Sequence, residues 1–100
     1  MNPRLLKLSS PVREDIERAI EILKEEGCSE VFLFGSAATG GHQKFSDLDI
    51  AVRGCPKGRF FHVWARLFMN LSRPVDLVKL DSGDPFAQFL LTGGELLRVG

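Results

Sequence analysis

The stretch VFLFGSAATGGHQKFSDLDIAV, residues 31–52, decides the fold of this 100-residue chain. It begins with a short apolar run, Val31 to Phe34, which is long enough for a buried strand and too short for a helix of its own. Residues 35–46 then have the Gly, Ser, Ala, Thr, His, Gln and Lys composition of a loop. A second strand is predicted from Asp47 to Val52.

The side chains of this second strand alternate in character. Asp47, Asp49 and Ala51 share one face, and the opposite face is apolar, with Leu48, Ile50 and Val52. The two carboxylates, at positions i and i+2, project from the same face roughly 6 to 7 Å apart at their roots. Because carboxylates placed side by side resist ionising together, we expect a hard cation with oxygen ligands, such as magnesium, to stabilise them.

The flanking segments predict helices and one further strand. Amphipathic spacing indicates a first helix, capped by Ser9 or Ser10, that runs to Glu26 and is stopped by Gly27. The remaining predicted elements are a helix at Phe60 to Leu71, a strand at Pro74 to Leu80 and a helix at Pro85 to Leu91. The prediction is therefore an α/β (α+β) fold with a small mixed sheet flanked by helices, in the order helix-strand-strand-helix-strand-helix. A chain of this length is expected to form a single domain, residues 1–100.

A third acid and a Gly-Ser pair suggest chemistry at phosphorus. Asp76 lies mid-strand and could bring a third carboxylate to the same sheet face. Two metal ions held by such acids can bind the attacking and leaving oxygens of an in-line displacement. Gly35 allows close approach of the backbone to a phosphate, and the Ser36 hydroxyl can donate to its oxygens. Each feature alone is weak, since Gly-Ser is commonly a turn and strand-end aspartates commonly cap loops, but their combination and order indicate a site.

These motifs, LFGSAATGGHQKFSDLDIAV and PVDLVKL, resemble the minimal nucleotidyltransferases of the DNA polymerase beta superfamily. The resemblance runs from about Val31 to Leu80. It implies a magnesium-dependent enzyme in which Asp47 and Asp49 bind both Mg²⁺ ions while Asp76 binds one and helps to activate the attacking hydroxyl. It also implies that Gly35 and Ser36 hold the triphosphate of ATP or another nucleotide, with release of pyrophosphate.

Small members of this family are often antitoxins paired with a helical toxin of the HEPN class. The resemblance therefore implies a partner protein, with transfer of AMP to a tyrosine of that partner as one expectation. The sequence departs from many relatives, which have an arginine directly after the Gly-Ser pair where this chain has Ala37. Lys44, the only charged residue of the loop, is a candidate phosphate contact. The departure keeps an alternative open, namely a non-catalytic module that neutralises its partner by masking it.

The predicted helix from Phe60 to Leu71 is apolar over much of its circumference. Either all its faces are buried within the monomer, or some of its large side chains form an interface with a partner or a second copy; we favour the interface because a small domain has little interior. Among the other candidates, His42 could hydrogen-bond a ligand and His62 is expected to be half-buried structure. Ser46 is expected to cap a turn, because no base is placed to activate it.

Charge and cysteine content narrow the function further. Thirteen basic residues balance thirteen acidic ones, so we expect no broad attraction to nucleic acid. No segment has the length of apolar sequence that a membrane span requires, and a soluble, cytoplasmic protein is the expectation. Cys28 and Cys55 lack any short metal-ligand or redox spacing, and we expect free thiols in a reducing compartment.

Overall fold

The structure is a computed structural model that describes residues 10–35 and 47–100. The predicted fold class is confirmed, because these residues form helices packed on a mixed sheet in the predicted order. A short strand that the sequence did not predict follows the last helix. The elements are α1 (Ser10–Glu25), β1 (Glu30–Leu33), β2 (Leu48–Arg53), α2 (Phe60–Asn70), β3 (Val75–Lys79), a 3₁₀ turn (Leu80–Ser82), α3 (Pro85–Thr92) and β4 (Leu97–Arg98).

The four strands form one sheet in the order β3-β2-β1-β4. β1 runs antiparallel to both β2 and β4, whereas β2 and β3 are parallel and are connected through α2. In the parallel pair Asp49 lies directly opposite Asp76. The topology thus places two of the predicted site acids on adjacent strands at the same level of the sheet.

The two faces of the sheet are covered unequally. On one face the apolar side of β2 packs with α1 and α2 in the larger core, which includes Val12, Ile16, Leu23, Leu48, Ile50, Val52, Val63 and Leu67. On the other face a smaller cluster joins α3 to the sheet through Phe34, Ala51, Leu80 and Leu90. Because Asp49 and Ala51 are two residues apart on one strand, Asp49 lies on the face that carries α3. The alternation predicted for β2 is confirmed.

A buried carboxylate fastens α1 to the segment that leads into β3. Asp15 accepts hydrogen bonds from the Ser72 backbone amide at 3.2 Å, the Ser72 hydroxyl at 2.6 Å and the Arg73 Nε at 2.7 Å. Asp15 as a whole is only 8% exposed. Burial raises the pKa of Asp15, but the hydrogen bonds from Ser72 and Arg73 outweigh it and leave the pKa below its usual value.

The two cysteines form a disulfide, so the expectation of free thiols is wrong. Glu30 pairs with Arg53 at the end of the antiparallel β1–β2 ladder. Continuing that register by two residues on each strand brings Cys28 opposite Cys55. The two cysteines therefore meet because of the register of β1 and β2. They are 27 positions apart in sequence, so a search for short cysteine spacings cannot detect the disulfide.

Helix α2 buries only part of its apolar surface. Val63 and Leu67 point into the larger core, while Phe61, Phe68 and Met69 are 77%, 67% and 76% exposed. Trp64 is partly exposed, and its indole N–H donates to the Val75 carbonyl at 3.2 Å, on the edge strand β3. The possibility that all faces of this helix are buried within the monomer is therefore excluded. Among the described helices, none has the length and apolar character to cross a membrane.

Candidate active site

Two of the predicted acids face each other across the parallel strands. Asp49 in β2 is half-buried, and its register partner Asp76 in β3 is exposed. Asp47 precedes β2 and is exposed. Because these positions alternate with the apolar residues that pack in the larger core, the carboxylates are directed to the face of the sheet that carries α3.

The electrostatics of Asp49 reflect this crowding. Burial raises the pKa of Asp49 above its ordinary value, and the neighbouring carboxylates of Asp76 and Asp47 raise it further. The charged form of Asp49 is thus disfavoured by the surrounding protein. A cation that neutralised the cluster would relieve this repulsion.

Gly35 brings the backbone after β1 into close approach with Asp49. The Phe34 amide donates to the Asp49 carbonyl at 3.1 Å, which extends the β1–β2 pairing to the end of β1. Gly35 then has φ +63°, a left-handed conformation that glycine adopts without steric cost. A Cβ added at this position would collide with the Asp49 Oδ2 atom. Only glycine therefore fits beside the carboxylate as it is placed here.

The chemistry of the acids fits a hard divalent cation, since carboxylate oxygens are the ligands that magnesium prefers. The repulsion of Asp49 by Asp76 and Asp47 also fits a cation, because a bound cation would offset it. Within residues 10–35 and 47–100, however, no three acidic, histidine or cysteine side chains already form a group that could hold a metal ion. The strands place the acids as neighbours, but their side chains do not form a finished ligand cluster.

Two cavities border the acids from opposite sides. The larger, of about 520 Å³, reaches from Gly35 and Asp49 to α3 and the residues after it, and its lining includes Phe86, Phe89 and Glu95. The smaller, of about 240 Å³, lies between α2 and the edge strand and is lined by Phe60, Phe61, Trp64, Val75, Asp76 and Leu77. The first cavity has a volume typical of small-molecule sites. Asp49 therefore lines the larger cavity and Asp76 the smaller one.

The structure does not place the remaining candidate residues of the sequence analysis in this site. Ser36 and Lys44, predicted to bind nucleotide, lie outside the described residues, as do His42 and Ser46. His62, which was expected to be half-buried structure, is somewhat more exposed than that, because its side chain is 55% exposed, with Nε2 3.3 Å from the Glu26 carboxylate. The reason is that His62 lies on the side of α2 that faces the charged end of α1 rather than the core.

Sequence reasoning did not single out the aromatic residues of α3. Phe86 and Phe89 are separated by three positions, and their rings lie 6.3 Å apart with planes inclined by 20°. Phe86 also contacts the buried Phe34 edge to face, with ring centroids 5.8 Å apart. The i, i+3 spacing of two phenylalanines in a predicted helix was a visible signal, but only the fold shows that they border the cavity of Asp49.

Comparisons with known proteins agree with this fold. The profile of the polymerase beta nucleotidyltransferase family matches residues 17–98. The chain is similar to a crystal structure of a toxin–antitoxin with AMP-PNP, at 28% identity and a TM-score of 0.61 over 83% of this chain and 69% of that one. A double mutant of the toxin–antitoxin MntA–HpeT is similar at 26% identity and a TM-score of 0.62, over 80% and 69% of the two chains.

A further solved structure, described as a candidate minimal nucleotidyltransferase, is similar over 89% of this chain and 91% of that chain, with 26% identity and a TM-score of 0.65. No curated protein sequence matches the chain. The family resemblance inferred from the motifs is confirmed by the profile match.

Proposed function

Because the chain belongs to the polymerase beta nucleotidyltransferase family, we propose that it transfers AMP from ATP to an acceptor hydroxyl as the antitoxin of a toxin–antitoxin pair. The observation that carries the proposal is the placement of Asp49 opposite Asp76 beside the left-handed Gly35. The similarity to a toxin–antitoxin structure with AMP-PNP supports both the nucleotide and the partner. In this proposal residues 1–100 act as one catalytic unit.

In the proposed reaction the acceptor oxygen attacks the α-phosphorus of the nucleotide. An oxygen–phosphorus bond forms to the acceptor, the bond from the α-phosphorus to the bridging oxygen breaks, and pyrophosphate leaves with that electron pair. Asp76 takes up the proton of the attacking hydroxyl. Gly35, Ser36 and Lys44 bind the phosphates.

Two Mg²⁺ ions would be held by Asp47, Asp49 and Asp76. Asp49 is the only acidic residue of β2, Asp76 is the only acidic residue of β3, and Asp47 directly precedes β2. When bound, the ions would supply charge neutralisation for the attacking and leaving oxygens. Without a cation between them, carboxylates this close would repel the phosphates, so phosphate binding at this site would depend on the ions.

The acceptor is proposed to be a tyrosine of a helical, HEPN-type toxin. The exposed apolar side chains of α2 would form the contact with this partner, since two of them, Phe61 and Trp64, line the cavity that Asp76 also lines. Phe61, Trp64, Phe68 and Met69 make up this partner face. A second copy of the chain is the alternative occupant of the same face. Neither a membrane nor bulk nucleic acid is part of the proposal.

The test is a transfer assay with the purified chain, its toxin partner, Mg²⁺ and α-labelled ATP. Asp49→Asn should lower transfer at least about a hundredfold, as loss of several kcal/mol of transition-state charge stabilisation requires. Glu17→Gln, an exposed charge on α1, is the matched control and should leave the rate unchanged. Absence of labelled acceptor and of pyrophosphate with the wild-type chain would refute the enzymatic proposal.

The second candidate is masking of the partner without catalysis, which the exposed face of α2 favours. Toxin neutralisation separates the two. If Asp49→Asn still neutralises the toxin while Phe68→Ser does not, masking is the function; if Asp49→Asn fails to neutralise but still binds, transfer is.

We place the protein in the cytoplasm, where nucleoside triphosphates are available. The Cys28–Cys55 disulfide is unusual there, although intracellular proteins of hyperthermophiles do contain structural disulfides. Thiol labelling of the chain directly after cell lysis tests the location: free thiols agree with a reducing cytoplasm, whereas a disulfide already formed in a cell whose cytosol is reducing would contradict it.

A further inference from the structure

The larger cavity beside Asp49 contains more binding surface than phosphates need. Gly35 and Asp49 form one part of its lining, where the proposed function places the triphosphate, and α3 with the residues after it forms another part, here called the α3 end. The smaller cavity belongs to Asp76 and to the exposed face of α2, where the acceptor would approach. The nucleoside portion of the substrate is then left with the α3 end of the larger cavity.

That end presents two aromatic rings to the cavity. Phe86 and Phe89 are 46% and 58% exposed, although both belong to a helix that buries Ala87 and Leu90. We call these two residues the aromatic pair. The two rings are stacked with their planes inclined by only 20°, so a ring face of the pair that is exposed can continue the stack, and aromatic side chains stack with any nucleobase because every base has a π-face.

The backbone that carries the aromatic pair is fixed at both ends of α3. The Asp84 carboxylate accepts from the amides of Phe86 at 2.8 Å and Ala87 at 3.2 Å, capping the helix. At the other end the amides of Gly93 and Gly94 both donate to the Phe89 carbonyl at 2.8 Å. A Cβ at Gly94 would lie 2.7 Å from the Leu90 Cα atom, so the chain packs directly on the helix here. The backbone that positions the aromatic pair is therefore held in place before any ligand binds.

One polar side chain lies at the same end of the cavity. Glu95 follows the two glycines and is one of the residues that line the cavity. A carboxylate accepts hydrogen bonds, so it favours a base with an exocyclic amino group over uracil, whose edge carries carbonyl oxygens. A two-ring base also covers more of the aromatic pair than a one-ring base does.

We infer that Phe86 and Phe89 form the base-binding surface of this site and that Glu95 selects a purine bearing an amino group. The inference rests on the proposed function, because it assumes that the phosphates lie at Gly35. It goes further in naming the residues that read the base.

Binding of Mg-ATP and of magnesium tripolyphosphate, each followed by titration calorimetry with the full chain, tests the inference. Phe89→Ala should weaken ATP binding at least about fivefold, as loss of one stacked base predicts, and leave tripolyphosphate binding unchanged. Phe89→Leu should fall between the two. Leu91→Ala removes an apolar side chain of the same helix that is 39% exposed and does not line the cavity, and it should bind ATP like the wild type.

Four other outcomes would overturn the inference, and they are distinguishable. Equal ATP affinity of the wild type and Phe89→Ala would refute the aromatic pair and leave nucleotide transfer standing. Equal weakening of ATP and tripolyphosphate would place the effect at the phosphates or the fold. UTP binding as tightly as ATP would refute the role of Glu95. Failure of the wild type to bind either probe would refute the proposed function together with the inference.

Discussion

Replacing Asp15 by Asn tests whether a buried carboxylate holds the site strands in place. Asp15 Oδ1 accepts from one amide, and Oδ2 accepts from both the Ser72 hydroxyl and the Arg73 Nε. An asparagine has one oxygen and one NH₂ group, so in either orientation its NH₂ faces a donor of Ser72 or Arg73. The substitution changes little volume and removes the charge.

The expected loss of stability is large for a chain of this size. Both side chains of the ion pair are nearly buried, at 8% exposed for Arg73 and 11% for Asp15. Removing one partner of such a pair costs about 3 to 5 kcal/mol, a substantial part of the roughly 5 to 15 kcal/mol that stabilises a typical domain. The thermal midpoint should therefore fall by at least about 12 °C.

The pH dependence gives the refuting result. The pKa of Asp15 is lowered in the folded state. Its contribution to the unfolding free energy is therefore fully present above the unfolded pKa of about 3.9 and is lost as the pH falls through the folded pKa. Urea unfolding followed by circular dichroism should show the difference between wild type and Asp15→Asn beginning to shrink below about pH 4 and continuing to shrink as the pH falls towards the folded pKa. Glu14→Gln, an exposed neighbour, is the control. A difference under about 1 kcal/mol at pH 7, or one equally large at acid pH, would refute the reasoning.

Three further predictions concern the disulfide, the glycine beside Asp49 and the cap of α3. Replacing Cys28 and Cys55 together by serine should lower the unfolding free energy by roughly 3.5 kcal/mol, from chain entropy over the 27-residue separation, and an unfolding curve insensitive to reductant would contradict this. Gly35→Ala should reduce transfer more than tenfold, because the left-handed backbone costs about 1 to 2 kcal/mol and the added methyl displaces the Asp49 carboxylate; unchanged transfer would show that this carboxylate position is not needed. Asp84→Ala should lower the thermal midpoint by removing two capping hydrogen bonds to α3, whereas Asp84→Asn should retain most of them; a midpoint equal to that of the wild type would contradict the role of the cap.

The sequence predicted the parts of the fold that depend on local pattern. The alternation in β2 predicted which side packs in the larger core and which carries the acids, because strand periodicity is a property of neighbouring residues. Residues 97 and 98 are too few to show such a pattern, so β4 was missed. The disulfide was also missed, since it depends on how β1 pairs with β2 rather than on the spacing of the cysteines.

The candidate site was predictable to the same extent. Asp49 and Asp76 were recognised by residue type and order, but their direct pairing required the parallel register of β2 and β3. Asp15 gave no signal, because a carboxylate on an amphipathic helix normally lies in water. Its burial depends on Ser72 and Arg73, more than fifty positions away in sequence.

The unequal covering of the sheet has a consequence for hydrogen exchange. The acids lie on the side where α3, an eight-residue helix, is joined by the smaller cluster. Amides of α3 should therefore exchange through local opening at a lower free energy than those of α1, whose buried face belongs to the larger core. A ligand bound between Asp49 and α3 would slow amide exchange chiefly in α3. Ligand binding should therefore be detectable as protection of these amides before it changes the global unfolding transition.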